Sequence, residues 1–201
     1  MTNRVTRPLV VLAAFVGSLA IGLTLVVWLG GGLIGGGLGK SAPAKIGGPF
    51  QLTDQNGQTV TEKNLIGRPT IIFFGYTHCP DVCPTSLFEM SEVLRAMGKD
   101  ADRVNAYFVS VDPERDTQAV MKEYLSSFDP HVKGLTGDAA AVAKILSGYR
   151  VFAKKIPLKD GDYSMDHTAL IYLMDRDGKF VSPFNLNRKP EEAAADLKHY
   201  L

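Results

Sequence analysis

Thr70-Ile71-Ile72-Phe73-Phe74 is an unbroken apolar, β-branched and aromatic run that stops at Gly75. A run without polar alternation suits a strand buried on both faces, and such a strand needs helices packed above and below its sheet. The residues after it supply one. Pro84 fits a first helical turn, where its missing N–H costs nothing, and Leu87, Met90, Val93, Leu94 and Met97 recur at helical spacing before Gly98. Residues 104–111 read as the next strand. Asp116-Thr117 opens a helix carrying Val120, Met121, Tyr124, Leu125 and Phe128, and Asp138 opens another carrying Ala141, Val142, Ile145 and Leu146 up to Gly148. Asn56-Gly57 marks a hairpin between residues 50–54 and 58–61. Asp175-Arg176-Asp177-Gly178 turns a strand at 169–174 into one at 179–184, and Pro190 starts a closing helix with Ala194, Leu197 and Tyr200. This order predicts an α/β sandwich, a central sheet flanked by helices.

The first 45 residues form a separate object. Arg4 and Arg7 precede an uncharged stretch that lasts until Lys40. Residues 9–29 are its apolar core, roughly 32 Å long as a helix against a hydrocarbon layer of about 30 Å. That length favours one transmembrane anchor over a cleaved signal peptide, although Ala42-Pro43-Ala44 resembles a cleavage site. The two arginines place residues 1–8 in the cytoplasm and the rest of the chain outside it. Residues 30–45 form a glycine-rich linker, leaving residues 46–201 as one domain large enough for a proper core. Of the 22 Lys and Arg, only those two arginines precede Lys40, and all 21 Asp and Glu follow it. The domain is therefore nearly neutral and has no basic patch for nucleic acid.

Both cysteines of the chain fall in Cys79-Pro80-Asp81-Val82-Cys83-Pro84. With three residues between them, one helical turn presents both sulfurs on one face, where they can chelate a soft metal or close a disulfide. An exported domain sits in a disulfide-permissive compartment, and a single close pair there points to redox or metal chemistry rather than to a disulfide scaffold. The start of the helix favours thiolate over thiol. Four histidines are available as further ligands. His199 ends the last helix and reads as solvent-facing, His131 reads as a surface loop residue, and His78 reads as shaping the cysteine loop. His167 lies in the polar segment Tyr163-Ser164-Met165-Asp166-His167-Thr168, read as a loop that leads into the strand at 169–174. It is either a third ligand that completes a soft set suited to copper, or a hydrogen-bonded loop histidine. Structural zinc takes four protein ligands, and two cysteines do not supply a pair of knuckles; a catalytic zinc held by Cys, Cys and His stays open as the weaker reading, since no acid–base partner or substrate motif accompanies it.

The segment from Phe74 to Pro84, the segment Ser110-Val111-Asp112-Pro113-Glu114-Arg115-Asp116-Thr117, and Asp166-His167-Thr168 together resemble the ordered motifs of the Sco/SenC copper chaperones. The similarity runs from about Ile46 to the C-terminus, and the anchor fits it. Gln118 stands where a proline often follows Asp-Thr in the family. The resemblance implies a thioredoxin-like fold on the outer face of a bacterial inner membrane. It implies Cu(I) or Cu(II) bound by Cys79, Cys83 and His167. The implied partner is the copper-centre subunit of cytochrome c oxidase, whose dinuclear centre the protein would help to assemble by handing over copper, reducing the target's cysteines, or both. Other periplasmic copper chaperones and thiol reductants are the further partners. Asp112 to Thr117 reads as an ordinary strand-to-helix connection, with no chemistry assigned to it.

The competing class is a periplasmic thiol–disulfide oxidoreductase that acts through Cys79 and Cys83 without obligatory copper. Thioredoxin-like reductases place two residues between their cysteines, where this chain has three, and a cis-proline before the strand facing the site, where this chain has Thr168.

Overall fold

A computed structural model describes residues 45–159 and 161–201, together with Ile21 and Leu25. The expected anchor at 9–29 otherwise lies outside the described residues, and among those described no helix is long and apolar enough to cross a membrane. The chain divides into two units, Met1–Pro43 and Ala44–Leu201, and the strands and helices from Gln51 onward belong to the second.

Every residue of β3 (Thr70–Gly75) is buried, as its unbroken apolar run requires. It pairs in parallel with β4 (Asn105–Ser110), which pairs in parallel with β5 (Val132–Thr136). Antiparallel strands close both flanks. β1 (Gln51–Asp54) lies on β5 and carries β2 (Thr59–Thr61) outside it. β8 (Ile171–Met174) lies on β3 and carries β9 (Phe180–Pro183). The result is a seven-stranded sheet in the order β2-β1-β5-β4-β3-β8-β9.

Four helices cover it. α1 (Val82–Met97) buries Cys83, Leu87, Met90, Val93, Leu94 and Met97 along one stripe and packs against α4 (Pro190–Lys198). α2 (Gln118–Leu125) packs on β5 and α3 (Ala139–Gly148) on β1. Their starts follow local chemistry: the Thr117 side chain accepts from the Val120 N–H, and Asp138 Oδ1 accepts from the Ala141 N–H at 2.7 Å. The expected hairpin at Asn56-Gly57 is present, with Gly57 at φ 83°.

Two features depart from the sequence expectation. β5 runs through Lys133 and Gly134, a composition that carries little strand signal. A Cβ at Gly134 would meet the ends of the Leu125 and Met121 side chains of α2 at 2.6 and 2.8 Å, so a larger residue there needs those side chains to shift. The second feature is a separate two-stranded sheet, β6 (Ala153–Pro157) with β7 (Tyr163–His167), in place of the expected irregular loop. His167 is thus the last residue of a strand.

Register sets the site. Gly75 of β3 pairs with Ser110 of β4, and Phe73 pairs with Ile171, the first residue of β8. The cysteine turn, the segment after Ser110 and the segment leading into β8 therefore leave the sheet at one edge, where parallel α/β sheets concentrate their chemistry.

Candidate metal centre

The cysteine segment leaves β3 through a turn in which the Cys79 N–H donates to the Tyr76 carbonyl at 3.3 Å. The helix begins only at Val82, so Cys79 sits before it and Cys83 within its first turn. The two still face each other: the Cys83 N–H donates to Cys79 Sγ at 3.4 Å. Cys79 is half-buried and Cys83 fully buried, and neither is in a disulfide.

Burial decides the state of Cys83. The helix N-terminus by itself predicts thiolate at both sulfurs. Desolvation outweighs that effect at Cys83 and pushes its thiol far above the usual cysteine range, against a lowering hydrogen bond from the Tyr76 backbone. Metal uptake at this position must displace a proton.

Gly75 makes room for this sulfur. A Cβ there would lie 2.7 Å from Cys83 Sγ and 2.6 Å from the Phe108 ring. Gly75→Ala is expected to displace Cys83 and to cost about 1–3 kcal/mol, the usual range for overpacking a core. Thermal unfolding and thiol titration of the variant check this, and wild-type values in both would contradict it.

His167 arrives from the other side. Its Nε2 stands 3.9 Å from Cys83 Sγ, and its Nδ1 lies 3.1 Å from the Thr168 carbonyl oxygen. A carbonyl only accepts, so Nδ1 carries the proton in the neutral ring and the Nε2 lone pair is directed at the thiol. Metal–sulfur and metal–nitrogen bonds of about 2.3 and 2.0–2.1 Å place two ligands of one ion roughly 3.6–3.8 Å apart. Cys83 and His167, at 3.9 Å, stand within a few tenths of an ångström of that separation. Among the described residues, no group of three or more His, Cys, Asp and Glu side chains is drawn together closely enough to hold an ion, so Cys79 remains outside a closed set.

The other histidines sit elsewhere. His78 is exposed, with Nδ1 3.0 Å from the Thr77 hydroxyl, in keeping with a part in shaping the loop. His199 is exposed beside Asp196. His131 is not a plain surface residue. It lies between Asp129 (2.6 Å) and Asp102 (3.1 Å), and the Asp129 hydrogen bond, helped by Asp102, holds it above the usual histidine range.

The segment Asp112 to Thr117, a plain connection by its own sequence, supports the site directly. Buried Asp116 accepts from the Thr77 hydroxyl and from the Ser110 hydroxyl, each at 2.6 Å, and from the Thr77 N–H at 3.2 Å. The root of the cysteine turn is thereby tied to the end of β4. Burial pushes the Asp116 carboxyl up, opposed by these hydroxyls. Tyr76 stands edge-on to His167, ring centres 5.7 Å apart. Their own sequence gives Gly75, Tyr76, Arg115, Asp116 and Tyr163 no part in the site, since the signal for each is a partner distant along the chain.

Residues 39–201 match the SCO1/SenC family. The chain belongs to that family. ScoI of Bradyrhizobium japonicum, solved with copper bound, is 79% identical, with a TM-score of 0.77 over 78% of this chain and 99% of that one. Yeast Sco1 with copper bound is 38% identical, with a TM-score of 0.70 over 78% of this chain and 88% of that one. An SCO2-like protein of Rickettsia felis is 40% identical over 77% of this chain and 76% of its own length. The mixed α/β sheet with its covering helices fits the thioredoxin-like fold of Sco proteins.

Proposed function

We propose that this chain is a membrane-anchored copper chaperone for the dinuclear copper centre of cytochrome c oxidase, with Cys79, Cys83 and His167 holding one copper ion as its cargo. One observation carries the reading: the free Nε2 of His167 faces buried Cys83 at 3.9 Å, from a separate strand. Two sulfurs and one imidazole form a soft donor set that suits copper, and Cys79 completes it by turning its half-buried side chain inward. Membership of a family of copper-binding proteins in cytochrome c oxidase assembly supports the assignment of the target, and the copper-bound relatives support the cargo.

Three ligands leave the ion open to an incoming thiolate, which is what transfer to a partner requires. In the direct test, the reduced full chain is loaded with one equivalent of Cu(I) and presented to the copper-free copper-centre domain of the oxidase. Copper should move to the acceptor; an acceptor that stays copper-free would overturn the assignment of target.

The anchor and the outward-facing copper domain rest on the apolar length of residues 9–29 and on Arg4 and Arg7. A mature chain sequenced from membranes should retain those residues, and one starting at Lys45 would contradict this.

A second reading, a thiol–disulfide reductase, draws on the unequal exposure of the two thiols. Reduction of a protein disulfide at undiminished rate by copper-free His167→Ala would favour it.

A further inference from the structure

His167 is delivered by an element that joins the main sheet through no strand ladder. The β6–β7 sheet forms no ladder with the seven-stranded sheet, and four of the five residues of β6 are exposed. An isolated two-stranded hairpin is marginal in water. At the His167 end, the Thr168 N–H donates to the Phe152 carbonyl at 3.0 Å and the Phe152 N–H donates to the Thr168 hydroxyl at 3.1 Å. These bonds join the hairpin to itself; Ala153 and Met165 pack against the main core, and the Met165 backbone N–H donates to the Tyr76 hydroxyl.

A second, charged contact comes from the segment after β4. The Arg115 Nε–H donates to Asp112 Oδ2 at 2.6 Å, and its Nη1–H groups donate to the Tyr163 carbonyl at 2.9 Å and to Asp162 Oδ1 at 3.0 Å. The guanidinium stacks 3.7 Å from the centre of the Tyr163 ring. The Tyr163 hydroxyl donates to the other oxygen of Asp112 at 2.9 Å, and the Asp112 side chain is wholly buried. Lys155 of β6 pairs with Glu114 and lies 4.4 Å from the same ring. On its far side Arg115 reaches the Tyr76 ring at 5.8 Å, and Tyr76 opens the cysteine turn and stands against His167. One guanidinium therefore touches both the hairpin that carries the imidazole and the turn that carries the thiols.

We propose that Arg115 is the positioning residue for His167, clasping the β6–β7 hairpin through Tyr163 and Asp112 so that the imidazole is held over Cys83. The lever is long. Tyr163 and His167 are separated by four strand steps, about 14 Å, so a tilt of about 10° at the clasp carries the imidazole about 2 Å. A shift of that size removes a ligand whose bond length tolerates a few tenths of an ångström. A planar, five-donor guanidinium suits this position, since it meets a carboxylate, a carbonyl and an aromatic face at once, which an ammonium does not.

The proposal rests on the reading of His167 as a copper ligand, and the test separates the two. Cu(I) affinity of the reduced, detergent-solubilised full chain is measured by competition with a chromophoric chelator, and the nitrogen ligand by X-ray absorption. The variants are Arg115→Ala, Arg115→Lys, Tyr163→Phe, His167→Ala and each of the first three combined with His167→Ala. Arg115→Ala is expected to lower affinity about 10–100-fold, the range for residues that orient a ligand, with loss of the nitrogen neighbour. Arg115→Lys and Tyr163→Phe should lower it several-fold. In the His167→Ala background none should lower it further by more than about twofold, because the group they position is gone.

Removing Arg115 strands a buried carboxylate and can unfold the chain; Tyr163→Phe, which leaves the ion pair in place, then decides. An equal fall in both backgrounds, or no fall at all in Tyr163→Phe and Arg115→Lys, overturns the clasp. A His167→Ala chain with full affinity overturns the ligand assignment and the clasp with it.

Discussion

Oxidised to a Cys79–Cys83 disulfide, the chain is expected to lose copper binding by about 10⁴-fold. Four-ligand sites deliver roughly 10–16 kcal/mol, or about 3 kcal/mol for each ligand, and the disulfide removes two. Geometry permits the bond. The Cys83 N–H already rests on Cys79 Sγ at 3.4 Å, and both thiols are free, so the two sulfurs lie close enough for a short rearrangement of the turn to join them. His167 alone does not hold the ion. Copper and disulfide therefore exclude each other, and the redox state of the pair decides whether the chain can be loaded. Titration of copper into fully oxidised, thiol-free chain checks this. Tight one-to-one binding there would mean that the sulfurs are not ligands.

In the reduced chain, Cys83→Ser and His167→Ala are each expected to lower Cu(I) affinity by about 100-fold or more, one ligand's share of the binding energy. The two differ in their pH dependence. Burial holds Cys83 protonated in the copper-free chain, so copper taken up at neutral pH expels that proton, and wild-type affinity rises with pH. Cys83→Ser removes this component and flattens the profile, whereas His167→Ala keeps it. Chelator competition at several pH values reads both effects. Identical slopes for the two variants would contradict the placement of the proton on Cys83.

The elements that sequence patterns reveal are those stabilised by their own residues. β3 and the buried stripe of α1 are continuous or periodic in apolar residues, and Thr117 and Asp138 cap their helices through bonds within one turn. The cysteine spacing is equally legible, because it is local. What escapes is held together from a distance. At Gly134 in β5 the crowding partner is α2, which lies on it. The β6–β7 hairpin carries only a short, polar-edged alternation in β7, and one of its main ties, to Arg115, lies 48 residues before Tyr163 in the chain. Asp116 supports the cysteine turn across 39 residues. The segment from Asp112 to Thr117 is recognisable as a family motif, yet nothing in its own residues says that it braces both the thiols and the imidazole. Likewise the thiolate expected at the helix start gives way at Cys83 to burial, which emerges only once Phe108 and β3 surround the sulfur.

The central claim is a single copper ion bound by Cys79, Cys83 and His167. X-ray absorption of the reduced full chain loaded with one equivalent of Cu(I), set beside the same measurement on His167→Ala, tests it most directly. The account predicts two sulfur neighbours and one imidazole nitrogen in the wild type, with the nitrogen lost and both sulfurs kept in the variant. An unchanged copper environment in His167→Ala, or a wild-type ion without sulfur neighbours, would contradict it.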